Sequence, residues 1–358
     1  MVYNNNPPTK IQIIGEDKTL SSLIEKFPGL WEVADENVVN YRKCWKLYVP
    51  KRDPDNPTTI INQHWCVAYL PIVAIRKCYS AEPGSSNSGV VPYFFILLNA
   101  GRDERPSTHK VDTKESDPLQ KNLIERDMIL SDFEDFYLCP NGYPYHRYAS
   151  LLISRDKERM QELPTAREIA SWMKFSILTR QYVFFNSPHA GATILTRLHA
   201  QVVDPAGIRY EDEEVRYPLL NRQITKRTNI RGGIDRLDGY GIEALVLRGR
   251  DAPYRAELVV NKMRNRGDWY NIMINSREIF VVARNAEKET SECIGKRVGS
   301  YELSGVVLVG NIEEPLLDQL DTSRVVSGSE IFSQLGYEQV CSNVADATTA
   351  LGGLENQL

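Results

Sequence analysis

Eight short apolar runs, each bounded by turn-forming residues, constrain the fold of this chain more than any other feature of its sequence. Their length and their content of Val, Ile, Phe and Tyr are typical of β-strands. Many strands that look antiparallel, combined with few helices, predict an α+β fold. The eight predicted strands are 91–99, 148–154, 181–186, 198–203, 241–249, 269–275, 278–284 and 303–310.

One helix is well signalled, in the segment "PTAREIASWMKFSIL". Thr165 can cap its first turn, and Glu168 follows three residues later, which is the pattern of a capping box. The helix leads directly into the predicted strand 181–186. The residues whose helical spacing predicts its buried face are Ile169, Trp172, Met173 and Ile177.

Two polar stretches interrupt the pattern of strands. Residues 101–122 are rich in turn-forming residues, and residues 204–240 carry an acidic run followed by a basic one. We expect both to be solvated connectors, with the alternative that some of their Arg and Lys side chains reach an anionic ligand. The two flanking halves each contain a strand pair followed by a Gly-containing turn, which is weak evidence for a duplicated architecture.

Charge and composition argue against several classes of protein. The net charge of −4 provides no basic field for duplex nucleic acid. The six cysteines include no Cys-x-x-Cys pair, so neither a zinc knuckle nor a redox motif is predicted. No apolar run approaches the roughly 20 residues that span a bilayer, and the start lacks the apolar core of a signal peptide. We therefore expect a cytoplasmic protein with reduced cysteines and no nucleic-acid or membrane partner.

The stretch "FFNSPHAGATILTRLHAQVVD" (184–204) combines a small polar turn with a strand that contains a histidine. Gly191 lets the backbone approach a ligand closely and expose its N–H groups. Asn186, Ser187 and Thr193 add side-chain donors, which suit phosphate oxygens because these only accept hydrogen bonds. From the turn alone, a purely structural connection between strands is an equal alternative.

Strand alternation after this turn would place Arg197, His199 and Gln201 on one face. An imidazole can attack phosphorus directly when its other nitrogen is held by a hydrogen bond. Arg197 could bind phosphate oxygens with both arms of its guanidinium, and Gln201 could hydrogen-bond to the same oxygens. Spacing alone also allows a buried histidine that is hydrogen-bonded and has no catalytic role.

The same residues resemble the signature of the histidine-triad superfamily, in the branch of the galactose-1-phosphate uridylyltransferases, diadenosine tetraphosphate phosphorylases and GDP-hexose phosphorylases. That signature runs Phe-x-Asn-[Gly/Ser]-Pro-x-x-Gly-Ala-Ser, then His-x-His-x-Gln. The matching residues are Phe184, Asn186, Ser187, Pro188, Gly191, Ala192, His199 and Gln201. Thr193 stands in place of Ser, and Arg197 in place of the first histidine. Weaker matches at 141–158, 270–285 and 298–309 extend the resemblance over about 90–310.

The resemblance implies two tandem histidine-triad-like halves, each an antiparallel half-barrel sheet with flanking helices. It implies that His199 is the nucleophile, and that Gln201 marks a transferase or phosphorylase. The implied nucleotide- and phosphate-binding residues are Asn186, Ser187, Gly191, Ala192, Thr193, Arg197, Asn141 and Tyr143. Lys110 and Arg284 are weaker candidates for phosphate contact, and an exposed loop cation and a strand-end cation are equal alternatives for them. The domain plan is an N-terminal extension at 1–60, a first half at 61–204, a connector at 205–240, a second half at 241–345 and a flexible tail at 346–358.

The implied reaction is nucleotidyl transfer through a covalent nucleotidyl-histidine at His199. The donor would be a nucleoside diphosphate sugar or a dinucleoside polyphosphate, and the acceptor inorganic phosphate or a sugar phosphate. No protein-bound metal is predicted, although Mg²⁺ could accompany the nucleotide, and a homodimer is plausible. Two alternatives stay open: a nucleotide hydrolase of the same fold, and a nucleotide-binding sensor without catalysis, for which Arg197 is the main sequence evidence.

Overall fold

The structure is a computed structural model that describes a large part of the chain. The described residues are 10–12, 44–53, 56–68, 72–79, 92–99, 117–125, 129–141, 149–205, 209–210, 213–214, 217–220, 226–231, 233–238, 240–291, 296–309, 333 and 340–342. The predicted tail at 346–358 lies outside these residues, as do most of the extension at 1–60 and the predicted loop up to residue 116.

The secondary structure of the described residues is mostly β. In chain order the strands are β1 (Lys10–Gln12), β2 (Cys44–Asp53), β3 (Asn56–Ala68), β4 (Ile72–Tyr79), β5 (Pro92–Asn99), β6 (Ser131–Phe133), β7 (Phe136–Pro140), β8 (Ser150–Ser154), β9 (Tyr182–Asn186), β10 (His199–Val203), β11 (Arg209–Tyr210), β12 (Glu213–Glu214), β13 (Lys226–Arg231), β14 (Ile234–Asp238), β15 (Leu245–Arg248), β16 (Trp269–Ile274), β17 (Glu278–Arg284), β18 (Thr290–Ser291), β19 (Lys296–Arg297) and β20 (Val306–Val309). The helices are α1 (Ala166–Thr179), α2 (Ala252–Asn265) and α3 (Ser300–Leu303), with a π-helical turn at Gln120–Ile124 and a 3-10 turn at Pro218–Leu220.

A ten-stranded antiparallel sheet is the centre of the fold. Its strand order is β13-β14-β15-β17-β16-β9-β10-β8-β7-β6. The order falls into two groups of five strands that meet where β16 pairs with β9, with Asn271 opposite Asn186. Each group consists of a hairpin, a third strand, a helix and a second pair of strands, so the α+β architecture contains the same unit twice.

The two long helices pack against each other and on one face of this sheet. Successive side chains of a strand point to opposite faces, so Phe185, Ala200 and Val202 lie under the helices whereas Phe184, His199 and Gln201 face the other way. Helix α1 begins with the predicted capping box between Thr165 and Glu168. The fully or almost fully buried side chains that α1 contributes are Ile169, Ser171, Trp172, Phe175 and Ser176.

The opposite face of the sheet is covered by shorter elements. Tyr217 and Tyr301 pack edge-on against Phe184 and bury it completely. Helix α3, which contains Tyr301, follows Gly299 and leads into β20, which pairs parallel with β5. His199 and Gln201 of β10 point to this same face, and the candidate active site lies around them.

The eight strands predicted from the sequence are all present, with ends that differ by a few residues. The predicted connector was wrong at 226–238, where β13 and β14 form the edge of the main sheet. The mixed charges of this segment predict a solvated loop, but the edge strand β13 tolerates them because one side of it faces water. Ile177 is 52% exposed, so its predicted place on the buried face of α1 was also wrong; Ser176 is buried instead.

No helix among the described residues has the length and apolar character needed to cross a membrane.

Candidate active site

The imidazole of His199 is buried at the start of β10, and a nearby backbone carbonyl orients the ring. Its Nδ1 lies 2.9 Å from the carbonyl oxygen of Arg197. A carbonyl only accepts hydrogen bonds, so Nδ1 donates and carries the hydrogen of the neutral ring. The lone pair is therefore on Nε2, which is the nitrogen of this ring that can react with an electrophile.

Burial keeps this imidazole neutral. Loss of hydration lowers the pKa of His199 below the ordinary histidine value, and this effect exceeds the opposing influence of the Arg197 carbonyl and the Asp117 carboxylate. His199 is thus unprotonated at neutral pH. A neutral ring with a fixed tautomer is the form that can act as a nucleophile.

Gln201 lies two residues further along β10 and leaves the sheet on the same face as His199. Its Oε1 is buried and has no hydrogen-bond partner in the described part of the protein. Buried polar atoms are almost always satisfied, so this amide has capacity for a bound group. Rotation of the amide about its last bond would present Nε2 at the same place, which suits an acceptor such as a phosphoryl oxygen.

The side chain of Arg197 is bound by groups of the protein itself. It lies in a bend before β10 begins, where strand alternation does not apply, and it is 2% exposed. Its guanidinium donates to the carbonyl oxygens of Ser154 at 2.8 Å and Arg155 at 3.3 Å, and to Oε1 of Gln120 at 2.5 Å. Asp117 adds an ion pair at 3.5 Å. We expected this guanidinium to bind phosphate oxygens, but in the structure it is bonded to groups of the protein.

The turn between β9 and β10 is shaped by a contact with the second half of the chain. Gly191 has a φ of +96°, which favours glycine, and a Cβ there would lie 2.7 Å from the Cα of Gly299. It would also lie 2.9 Å from the carbonyl oxygen of Val298. The turn therefore fits against the start of α3 only because residue 191 has no side chain.

Asn186 ends β9 and is oriented by three donors from the second half. Its Oδ1 accepts from the Asn271 Nδ2 at 2.7 Å, the Ser300 N–H at 2.9 Å and the Ser300 hydroxyl at 2.6 Å. With the oxygen so occupied, the amide orientation is set, and Nδ2 is the group of Asn186 that remains for a ligand.

Arg284 holds Asn271 in turn. Its Nη1 donates to the Asn271 Oδ1 and to the Val298 carbonyl, each at 2.7 Å, and its Nε donates to the Val340 carbonyl at 2.8 Å. The side chain is completely buried. Arg284 was predicted to contact phosphate, but the structure places it behind Asn271 and Asn186, as a support for them.

The other predicted residues have different environments. Ser187 is buried, and its hydroxyl both donates to the Tyr270 carbonyl at 2.7 Å and accepts from the Tyr270 N–H at 3.0 Å, so it joins β9 to β16. Ala192 is buried and Thr193 half-buried in the turn. Asn141 is half-buried after β7, where its N–H donates to the Ala149 carbonyl. Tyr143 and Lys110 lie outside the described residues.

Gln161, Asn271 and Ser300 were not singled out by the sequence analysis, yet they touch the predicted residues directly. Gln161 donates from Nε2 to the carbonyl oxygens of His199 at 3.0 Å and Asn186 at 2.9 Å, and its Oε1 accepts from the His199 N–H at 2.7 Å. Asn271 and Ser300 do lie in the two weaker matches, at 270–285 and 298–309. No sequence signal marked Gln161.

Among the described residues, no group of three or more His, Cys, Asp or Glu side chains is placed to hold a metal ion.

Comparisons with solved structures give the same fold. A crystal structure of yeast Ap4A phosphorylase Apa2 in complex with Ap4A superposes with a TM-score of 0.51 at 13% identity, over 90% of this chain and 98% of that one. The fold of this chain is similar to that of Ap4A phosphorylase. A second structure of the yeast enzyme, in complex with AMP, gives a TM-score of 0.50 at 14% identity, over 76% of this chain and 90% of that one.

This likeness agrees with the α+β architecture of two similar halves that the sequence predicts. No family model matches the sequence. No curated protein matches it either.

Proposed function

We propose that the protein is a nucleotidyltransferase or phosphorylase that transfers a nucleoside monophosphate through His199. The donor is a dinucleoside polyphosphate or a nucleoside diphosphate sugar, and the acceptor is inorganic phosphate or a sugar phosphate. The fold likeness to Ap4A phosphorylase favours the dinucleoside polyphosphate as the first donor to test. This proposal is supported by the fold, which is similar to that of an enzyme that transfers phosphorus-containing groups.

The observation that carries the proposal is the hydrogen bond from Nδ1 of His199 to the Arg197 carbonyl. It leaves the lone pair on Nε2 of a neutral ring, which a nucleophile requires. In the first step Nε2 attacks the α-phosphorus, a P–N bond forms, and the P–O bond to the distal group breaks. In the second step an acceptor oxygen attacks phosphorus, the P–N bond breaks, and the ring is regenerated.

The position of Arg197 weakens the alternative of a sensor that has lost catalysis. That alternative rested on Arg197 replacing the first signature histidine. The group that orients the His199 ring is the backbone carbonyl of residue 197, which every amino acid provides. The substitution therefore leaves the orientation of the nucleophile intact, and the guanidinium instead ties the 197 backbone to Ser154 and Asp117.

The surrounding groups fit the charge that develops on the transferred phosphoryl group. The Gln201 amide has unused hydrogen-bonding capacity beside His199, and Asn186 presents Nδ2 from the adjacent strand. Backbone N–H groups of Gly191, Ala192 and Thr193 are the proposed donors in the turn. We propose that Asn141 and Tyr143 border the base or ribose, and that Lys110 contacts phosphate. Mg²⁺ would enter with the nucleotide rather than on a protein ligand set.

Steady-state kinetics on a panel of donors tests this function. We expect turnover that depends on added phosphate or sugar phosphate, with the parallel double-reciprocal lines of a ping-pong mechanism. His199→Ala should reduce turnover by about 10⁴-fold or more while nucleotide binding persists. Turnover at the full rate without any acceptor except water would identify a hydrolase. Binding of nucleotides with no turnover in any combination would favour the sensor.

A further inference from the structure

Strands β9 and β10 stop pairing beside His199, the proposed nucleophile. Their pairing runs from Val203↔Tyr182 to Gln201↔Phe184 and then stops. In the same register the next hydrogen-bonded pair would be His199 with Asn186, two residues further along each strand. His199 and Asn186 are not paired with each other, although His199 is the first residue of β10 and Asn186 is the last residue of β9.

The side-chain amide of Gln161 occupies the place of that missing pair. The His199 N–H donates to the Gln161 Oε1 at 2.7 Å, and the Gln161 Nε2 donates to the Asn186 carbonyl at 2.9 Å. Nε2 also donates to the His199 carbonyl at 3.0 Å. In place of a direct N–H to C=O bond between the strands, Oε1 of Gln161 bonds to His199 and Nε2 bonds to Asn186. Gln161 is 1% exposed, so no solvent competes for these bonds.

Directly paired strands lie about 4.8 Å apart. A side-chain amide inserted between two backbones must hold them farther apart than that. Opposite residues of an antiparallel pair project their side chains on the same face. The imidazole of His199 and the amide of Asn186 therefore leave the sheet side by side, with a gap between them that direct pairing would close.

Gln161 is itself held in place by the segment that precedes helix α1. Its N–H donates to the Leu195 carbonyl, and the Leu198 N–H donates to the Arg159 carbonyl. The Arg159 side chain pairs with Glu168, which belongs to the capping box of α1, at 2.8 Å. The helix cap therefore anchors the segment whose glutamine separates the strands.

We propose that Gln161 is a positioning residue for nucleotidyl transfer, which it serves by holding β9 and β10 apart so that the transferred phosphoryl group fits between His199 and Asn186. This inference rests on the proposed function. Gln161 acts through the backbones of these two residues and makes no contact with substrate. Its loss should slow the chemical step while binding of the nucleotide elsewhere in the site persists.

The first test replaces Gln161 by methionine, which keeps the shape of the side chain and removes its hydrogen bonds. The rate constant for loss of diadenosine tetraphosphate in a single turnover should fall by about 100-fold, because a small misplacement of reacting groups has that effect. The dissociation constant for AMP should change by about threefold or less. Gln181→Met is the matched control, a buried glutamine at the other end of β9, and it should leave both quantities at the wild-type level.

Gln161→Glu provides a second test with a distinct signature. When protonated, its carboxyl accepts from the His199 N–H and donates one of the two bonds that the amide donates; when ionised, it opposes the carbonyls of His199 and Asn186. The variant should therefore react at low pH and lose activity as pH rises through the pKa of the new carboxyl, a limb that the wild-type profile lacks. Circular dichroism and thermal unfolding at each pH establish that the protein is folded.

The outcomes separate cleanly. A folded Gln161→Met that reacts at the wild-type rate, or a Gln161→Glu profile parallel to that of the wild type, would overturn the inference. Equal losses of AMP binding and rate, or failure of both variants to fold, would also overturn it, since Gln161 would then serve the fold as a whole.

Failure of the proposed function itself is recognised by a wild-type protein that turns over no donor. In that case ¹⁵N NMR of the His199 ring still tests Gln161. The wild-type ring should carry its hydrogen on Nδ1, and folded Gln161→Met should lose this single tautomer as the backbone at 199 moves. An unchanged ring spectrum in the folded variant would contradict the inference.

Discussion

The strand pairs β9–β10 and β16–β17 occupy equivalent places in the two halves of the main sheet, yet only the second pair is regular. β16 and β17 pair without a break from Trp269↔Arg284 to Ile274↔Ile279 and are joined by a short turn. β9 and β10 stop pairing at Gln201↔Phe184 and are joined by the long turn that contains Gly191. The irregular pair carries His199. A duplicated unit therefore provides a site where one copy departs from full pairing, while the other copy keeps it.

The regular half supports the irregular one. Arg284 of β17 holds Asn271 of β16, and Asn271 holds Asn186 at the end of β9. Gly299, also in the second half, lies against Gly191 in the long turn. The second half thus contributes buried hydrogen bonds and a tight backbone contact, and these fix the loop and the asparagine beside His199.

The largest effect on this comparison should come from Arg284→Met. It leaves the carbonyls of Val298 and Val340 and the Asn271 Oδ1 without their buried donor. We expect the free energy of unfolding to fall by about 3 kcal/mol or more in urea titrations. The exposed Arg277→Met, in the turn of the same hairpin, should stay within about 0.5 kcal/mol of wild type. Equal stability of the two variants would show that the second half does not support the site.

A pair of glycines tests the contact between the halves. Gly191 and Gly249 both have positive φ, at +96° and +92°, but a Cβ meets backbone only at Gly191. Gly249→Ala should destabilise the protein by about 1 kcal/mol from backbone strain alone. Gly191→Ala should destabilise it by roughly 2–3 kcal/mol and weaken nucleotide binding as the turn moves away from Gly299. Thermal unfolding and AMP titration measure the two effects, and identical losses for both variants would argue against the contact.

The pH dependence of the reaction should be set by the first half of the chain, because all five histidines precede residue 200. The proposed nucleophile His199 would react only as the neutral ring, and burial lowers its pKa below the ordinary histidine value of 6.5. We expect the rate of the first step to be flat through neutral pH and to fall about tenfold per unit only below that lowered pKa. The same profile should persist in His189→Asn. A decline that begins above pH 6.5 would contradict the neutral, buried ring.

The smallest effect concerns the two helix starts. Thr165 caps α1 by accepting from the Glu168 N–H, whereas Asp251 at the start of α2 makes no side-chain cap bond. Thr165→Ala should reduce stability by about 1 kcal/mol, and Asp251→Ala by less than about 0.5 kcal/mol. Urea titrations of the two variants side by side give the comparison. A larger loss for Asp251→Ala would reverse the assignment of the better-capped helix.

The local parts of this fold were accessible from the sequence. The capping box of α1 and all eight predicted strands depend on residues close together in the chain, and they are present in the structure. Helix α2 was not predicted, because charged residues interrupt its apolar stripe and Pro253 stands in its first turn, a place that proline tolerates. Ser176, rather than Ile177, completes the buried face of α1, which depends on how the helix rests on the sheet.

The supports of the candidate site were not accessible in that way. Gln161 lies 38 residues from His199, and Asn271 lies 85 residues from Asn186. Contacts at such separations follow from strand order and from the meeting of β16 with β9, which no local pattern encodes. Arg197 was expected to bind phosphate, but its guanidinium is held by Ser154, Gln120 and Asp117, which lie 43 to 80 residues away in the sequence. The domain boundaries, a cytoplasmic location and a homodimer stay predictions.

The most direct test of the account is the mass of the intact protein after brief mixing with diadenosine tetraphosphate and a panel of nucleoside diphosphate sugars, without phosphate. The account predicts a nucleoside monophosphate adduct on the wild type, mapped by peptide masses to His199 and absent from His199→Ala. Removal of the adduct by added phosphate would complete the cycle. An adduct on another residue, or no adduct while the donor is consumed, would contradict the assignment of His199 as the nucleophile.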